Sequence, residues 1–375
     1  MPINTSTIAQ VASDFKKPKP APVSTTGALG WSRENLFSSP LNTVLTLLTI
    51  IFVAWTLPGI IDWAVLKSVV NANSLKECRA ISAEGACWAV IDKRLSQFVY
   101  GYYPEALRWR PNLAFVLLFV AMAPVLFEKL PLRRYLLIFT AFYPIVAYFL
   151  LWGGLGLEHV ESSKFGGFLL SIIIGVTGIS FSLPLGILLA LGRVSNLPLL
   201  KGICVGFIEF IRGVPLITLL FVASMLLNYF LPKGTTFDII LRVVIMVTLF
   251  ASAYMAEVIR GGLAALPKGQ YEAADALGLT YWQSMRLIIL PQALKISIPG
   301  IVNTFIGLFK DTTLVAIIGL EDPLGIINPI RADSNWNGIV VELYAFVAVF
   351  FFIACFSMSR YSMYLERKLN TGHRN

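Results

Sequence analysis

Few residues of this sequence could do chemistry, and most of them lie in or beside long apolar runs. Glu209 and Arg212 are three positions apart inside one such run. At that spacing they share a face of any helix that forms there. Charges at membrane depth are costly and face a cavity or a partner. The pair reads as a structural ion pair near one end of a span, or as a contact in a transport pathway. Lys310, Asp311, Thr312 and Thr313 form a polar string late in a later run, with Asn303 seven residues earlier on the same helical face. They read either as a self-neutralising pair at the end of a span or as a polar lining for a zwitterion. Cys78 and Cys87 are close enough in sequence for a disulfide, whereas Cys204 and Cys355 fall in apolar runs and read as packing residues. His159 and His373 are far apart, without Cys or carboxylate at ligand spacing, so no metal site is expected. No G-x-x-x-x-G-K-[ST] phosphate loop and no G-x-S-x-G elbow occurs, and nothing resembles a catalytic centre.

The elements that must position these residues follow from composition. Of 375 residues, 57% are hydrophobic and 14% charged, against roughly 25% charged in soluble domains. The apolar residues gather in runs of about 20, the length of helix that crosses the hydrocarbon core. An all-α integral membrane protein of about eight spans is expected, since a membrane β-barrel would show shorter alternating segments. The runs begin near residues 44, 113, 135, 166, 203, 239, 296 and 338. The fifth is interrupted by Arg212-Gly213-Val214-Pro215, and Pro215 should loosen the helix there. Residues 1–40, polar and rich in lysine and proline, read as a disordered tail.

The net charge of +9 is spread between the apolar runs, which is a topology signal and not a nucleic-acid face. Lys129, Arg133, Arg134, Arg193, Lys201, Arg260, Lys268, Arg286, Lys295, Arg360, Arg367 and Lys368 fall on one side. The positive-inside rule therefore places both termini and the segment 257–295 in the cytoplasm. The mixed-charge loop 62–111, with Cys78 and Cys87, then faces the oxidising side.

Within 257–295, the stretch Gln270–Pro291 is a polar, small-residue island. Glu272, Ala273, Ala274, Asp275, Ala276 and Leu277 are mostly good helix formers. Gly278 is placed as a helix stop. Thr280 and Gln283 have capping-box spacing, so a second short helix should start there. Pro291 marks a kink or the next boundary. A helix–glycine–helix on the inner face reads as a docking element or as an ordinary long loop.

The stretch also matches a known signature. Glu272-Ala273-Ala274, then Gly278, then Ile288 and Leu290-Pro291, has the complete spacing of the E-A-A-x3-G-x9-I-x-L-P motif of ABC importer permeases. Around it lie Arg212-Gly213-Val214-Pro215-Leu216, Tyr254 to Gly262, Lys268-Gly269-Gln270, Leu290-Pro291-Gln292-Ala293 and Lys310 to Leu314. Over residues 161–366 the chain resembles the polar amino-acid branch of that family. Its three extra leading spans and large outer loop are most similar to the larger permease of the general L-amino-acid uptake system. The family often carries Thr and Gln where this chain has Val214 and Leu219, which makes this half of a pathway more apolar.

The resemblance implies a five-span type I permease core over 161–366, an N-terminal membrane extension over 41–160 and a short cytoplasmic tail over 367–375. It implies that Glu272, Ala273, Ala274 and Gly278 contact one member of a cytoplasmic ABC ATPase dimer, whose ATP and Mg would belong to that partner, with no cofactor on this chain. It implies a periplasmic amino-acid-binding protein and a second permease, expected to be a paralogue, in a bacterial inner membrane. The chain itself would be no enzyme. The competing class is an ion-gradient-driven secondary amino-acid transporter, which tends to show internal repeats. No repeat is evident, and such a carrier has no use for a docking loop.

Overall fold

A computed structural model describes residues 27–127, 129–226 and 237–369. Among the described residues the chain is helical, without strands, and forms two compact units.

The first unit comprises residues up to 69 and the stretch 82–86. It opens with α1 (Gly27–Asn35), where the sequence predicts a disordered tail. That expectation is corrected for these nine residues; the positions before 27 lie outside the described ones. Ser39 then starts α2 (Pro40–Ile61), its side chain accepting from Asn42 N and Pro40 sitting at the first helical position. Both are the residue types that these positions favour. A π turn, Asp62–Leu66, extends α2. No residue of α2 is buried within this chain. A helix that is apolar all round must be covered by lipid or another protein. Its far end is clasped by 82–86: Val69 N donates to Ala86 O, and Lys67 bridges Asp62 and Glu84 at 2.7 and 3.0 Å.

The second unit holds the rest. Its elements are α3 (Leu75–Ile81), α4 (Ala89–Tyr100), α5 (Trp109–Leu126), α6 (Arg133–Trp152), α7 (Gly167–Val194), α8 (Pro198–Gly213), α9 (Leu216–Phe221), α10 (Ile239–Ala264), α11 (Lys268–Ala276), α12 (Tyr281–Ser284), α13 (Leu290–Asp311), α14 (Ile327–Ala332) and α15 (Val341–Leu369). Among the described residues, seven helical stretches are long and apolar enough to cross a membrane. A further apolar pair, α8 with α9 and the π turn after it, is bent by 102°, as in a broken span or a re-entrant loop. The cause is local. Pro215 cannot donate a helical hydrogen bond, and the residue before it is pushed to extended backbone; Val214 accordingly has φ −107° and ψ 131°. The fifth apolar run is thus two helices and not one straight span.

α7 and α10 form the spine of this unit, and small residues let them meet. A Cβ on Gly186 would lie 2.6 Å from Met255 Cβ, and one on Gly178 would lie 3.1 Å from Leu308 of α13. Without a hydrophobic drive between helices in lipid, such close backbone approach supplies the packing. Leu170, Ile174, Val243, Val247, Leu308 and Val315 fill the core that results.

On the face opposite α11, the loop of mixed charge is folded. Cys78 and Cys87 are joined by a disulfide, with Cα atoms 5.9 Å apart. Leu75 N donates to Asn335 O at 2.8 Å, Cys87 N donates to the buried Glu342 at 3.1 Å, and Arg94 bridges Asp333. These contacts seat α3 and α4 on the segment between α13 and α15. Gly167, at φ +59°, lets that junction close: a Cβ there would lie 2.0 Å from Phe98 O.

Candidate coupling site

The sequence 267–291 builds its own shape. α11 begins after Pro267 and ends in paired caps: Gly278 N donates to Asp275 O at 2.9 Å and Leu279 N to Ala274 O at 3.2 Å. This is a Schellman ending, which needs a left-handed residue after the helix. Gly278 supplies it at φ +67°. Thr280 and Gln283 then form the expected capping box, Thr280 N donating to Gln283 Oε1 at 2.9 Å. α12 runs through a π turn, Met285–Ile289, into α13, with Pro291 in the first turn of α13. The proline is therefore absorbed inside one continuous helical path from Tyr281 to Ile318.

Two polar strings meet at the base of this element. Gln292 Nε2 donates to Gln270 Oε1 and to Ile288 O, both at 3.0 Å. The start of α11 is thereby tied to the start of α13. Tyr271 OH adds a bond to Leu263 O at the end of α10. Ala274 is fully buried, while Glu272, Ala273 and Gly278 are exposed. Leu277, Tyr281 and Trp282 are exposed as well, at 73%, 50% and 68%. The outer face of the element is thus an apolar tip beside a carboxylate, held rigidly from behind. Among the described residues, apart from its chain neighbours, nothing lies within 4 Å of a Cβ added at Gly278. The glycine is required here by backbone conformation, and not by close approach within the chain.

Between this element and the bend lies a charge cluster whose centre is Glu257. Its side chain is only 16% exposed and meets Arg193 at 2.9 Å, Arg260 at 3.1 Å and Arg212 at 3.7 Å. Arg212 also lies over the Tyr254 ring, 5.6 Å from its centre. Glu209 bridges Arg193 at 2.8 Å. The expected Glu209–Arg212 bridge is corrected: both join the cluster, each through another partner. Sharing a helix face brings them near, but α10 inserts a less exposed carboxylate that draws Arg212. Glu257 belongs to the Tyr254–Gly262 string; its acidic side chain among small and apolar neighbours is the signal that could have singled it out.

The candidate pathway residues are distributed unevenly. Asn303 and Lys310 are exposed, and Asp311 and Thr313 are partly exposed. No salt bridge within 4 Å joins Lys310 to Asp311 among the described residues. Thr312 is fully buried and donates to Phe309 O at 2.8 Å. It packs toward α7, its methyl 3.8 Å from where a Cβ on Gly175 would sit. Helix α13 tightens to 3-10 geometry from Thr312 and stops at Gly319, φ +86°. Farther on, Asp322 is buried; one oxygen accepts from Gly325 N at 2.8 Å and the other has no partner among the described residues. Burial pushes its pKa up to about 6, and the hydrogen bonds from Gly325 and Leu324 only partly oppose this. No group of three metal-ligating side chains occurs among the described residues.

Crossing-length helices, a broken span and an exposed helix–glycine–helix define a membrane-embedded permease of the ABC importer type. Residues 182–371 match the family described as binding-protein-dependent transport system inner membrane component, and the chain belongs to that family. It is 54% identical to the glutamate/glutamine/aspartate/asparagine transport system permease protein BztC of Rhodobacter capsulatus, over 97% of this chain and 99% of that one. It is 48% identical to the inner membrane amino-acid ABC transporter permease protein YhdY of Escherichia coli, over 95% and 96%. The probable glutamine permease GlnM of Bacillus subtilis is 34% identical and covers 55% of this chain with 93% of its own length. The first two similarities extend across the N-terminal half, whereas the third relative is a shorter protein.

Proposed function

We propose that this permease moves L-amino acids from periplasm to cytoplasm, driven by a separate ABC ATPase dimer that grips Glu272, Ala273, Ala274 and Gly278. The carrying observation is the α11–Gly278–α12 element. It is tied to α13 by Gln270–Gln292 and to α10 by Tyr271, and it presents Leu277, Tyr281 and Trp282 outward. Force applied at such a tip reaches two spans at once. The basic residues flanking it support a cytoplasmic position and both termini inside an inner membrane. ATP and Mg act on the partner, and this chain needs no cofactor. A periplasmic binding protein delivers the amino acid. The second permease is a paralogue, because the N-terminal extension serves one specialised half of a heterodimer. Lys310, Asp311, Thr313 and Asn303 remain the pathway candidates on α13; Thr312 supports their backbone.

The test is co-purification of the tagged chain from its native membrane, followed by uptake in proteoliposomes loaded with ATP. An ATPase and a second permease should co-purify, and uptake should need ATP. Gly278→Val should abolish uptake while the chain still reaches the membrane. Uptake that persists without any ATPase, and collapses with an ionophore, would sink this reading in favour of an ion-driven carrier.

A further inference from the structure

A cavity of about 740 Å³ opens between α6, α7 and α10, away from the coupling element. It is large enough for a sizeable ligand. Its walls are apolar: Ala147 and Tyr148 of α6, Ile173 of α7 and Val244 of α10 lie along it. Its Asp and His lie together at one end. His159 and Asp238 stand at the end where α6 stops and α7 and α10 begin, and both are exposed. From Asp238 the lining follows α10 as far as Leu249. The eleven residue steps between them give about 17 Å of helix rise, close to the roughly 15 Å of hydrocarbon in one leaflet. The carboxylate and the imidazole thus sit where headgroups lie, and the wall below them is mostly apolar, with the hydroxyls of Tyr143, Thr177 and Thr248 among its lining.

The mouth carries a carboxylate held in place. Asp238 accepts from Leu241 N at 3.0 Å as the cap of α10 and from Ser162, which in turn accepts from Trp152 Nε1 at 2.8 Å. No salt bridge engages Asp238 among the described residues. A fixed carboxylate at headgroup depth attracts an ammonium and repels a lipid whose head is a net anion. A primary ammonium can donate hydrogen bonds to it, and a trimethylated one cannot.

We propose that this cavity is a binding site for one phospholipid with an ethanolamine head, its ammonium at Asp238 and an acyl chain running along Ile173 and Val244. The lipid fills the gap between the extension span α6 and the spine α7–α10. It comes from the leaflet on the side opposite α11.

Native mass spectrometry on the complex purified with its partner subunits tests this. The complex is delipidated and then given phosphatidylethanolamine, phosphatidylglycerol or phosphatidylcholine with matched chains. One phosphatidylethanolamine per chain should be held about tenfold more tightly than either other lipid, a difference readable as a tenfold change in half-saturation. Asp238→Asn should erase that preference while a lipid still binds. Ala147→Trp should block occupancy; if that variant does not fold, Ile173→Trp on the facing wall takes its place. Thr248 lines the cavity with a buried hydroxyl that has no partner among the described residues. Thr248→Val should therefore preserve or strengthen retention of an alkyl chain. Equal retention of the three lipids by the wild type would overturn the proposal. So would unchanged occupancy in a folded tryptophan variant, or weaker binding after Thr248→Val. Cross-linking of Val244→Cys to the second permease would also overturn it, since protein and not lipid would then cover the site.

Discussion

Gly278 and Glu257 are the two positions where a single atom group decides what a larger piece can do. At φ +67°, a residue with a Cβ at 278 pays the left-handed penalty of about 1 kcal/mol. Asn tolerates that conformation better than β-branched residues do. Gly278→Asn should keep α11 capped and retain part of the uptake, while Gly278→Val should lose it. Because the chain leaves space around this position, a loss with Gly278→Ala beyond the backbone cost would locate a contact on the ATPase. ATP-dependent uptake beside a thermal unfolding curve separates the two effects. Glu257 bridges three guanidinium groups from a partly buried position. Glu257→Gln should cost about 2 kcal/mol or more, because it leaves those cations facing one another. Glu209→Gln removes an exposed bridge and should leave the melting temperature nearly unchanged. Local punctuation was legible in the sequence: the Thr280–Gln283 box and the stop at Gly278 are both present. The pairing of Arg212 was not, because a spacing of three within one helix says nothing about which carboxylate a distant helix brings.

At the scale of helices, close approach is read from the glycines of α10. A Cβ on Gly262 would lie 2.1 Å from Ser297 Oγ and 2.5 Å from Ala293 O, whereas one on Gly261 meets nothing. Gly262→Ala should force α10 from α13 and cost about 1–3 kcal/mol by overpacking. Gly261→Ala should be neutral or stabilise by up to about 1 kcal/mol from helix propensity. Thermal unfolding in one detergent reads both. The two glycines are adjacent in one string, and only the register of α10 against α13 tells them apart; a single sequence does not contain that register. The apolar runs, by contrast, were legible as spans from composition alone. The bend at Pro215 was legible as a weak point, but its 102° turn depends on how α9 packs under α10.

Across the whole molecule, the segment between α13 and α15 carries the insertion with α3 and α4 on one side and Asp322 within. The Asp322 pKa is raised to about 6, above its value of about 3.9 in an unfolded chain. The folded state therefore binds the proton more tightly, and stability falls as pH rises through the window from about 4 to about 6. That difference amounts to about 3 kcal/mol between the ends of the window. The chain should melt higher at pH 5 than at pH 7.5 by an amount that Asp322→Asn removes. An unchanged pH difference in that variant would refute the assignment. Reduction of the disulfide should loosen α3 and α4 from Asn335 and Glu342 and expose 70–108 to protease, with the spans still intact. The sequence placed both cysteines on one side but could not show where the insertion rests, since its partners lie more than 200 residues on.

That distance has a consequence for biogenesis. The cysteines are nine residues apart, but Cys87 meets Glu342 across 255 residues. At a synthesis rate of about 5–20 residues per second, the seat of the insertion emerges some 13–50 seconds after the insertion itself. The disulfide closes a loop whose parts are all made early, so it can fix α3 and α4 before their platform exists. Docking onto Asn335 and Glu342 then becomes a late quality check. Only a ribosome that has delivered the start of α15 yields a chain whose insertion is seated, and a truncated product displays it bare to protease.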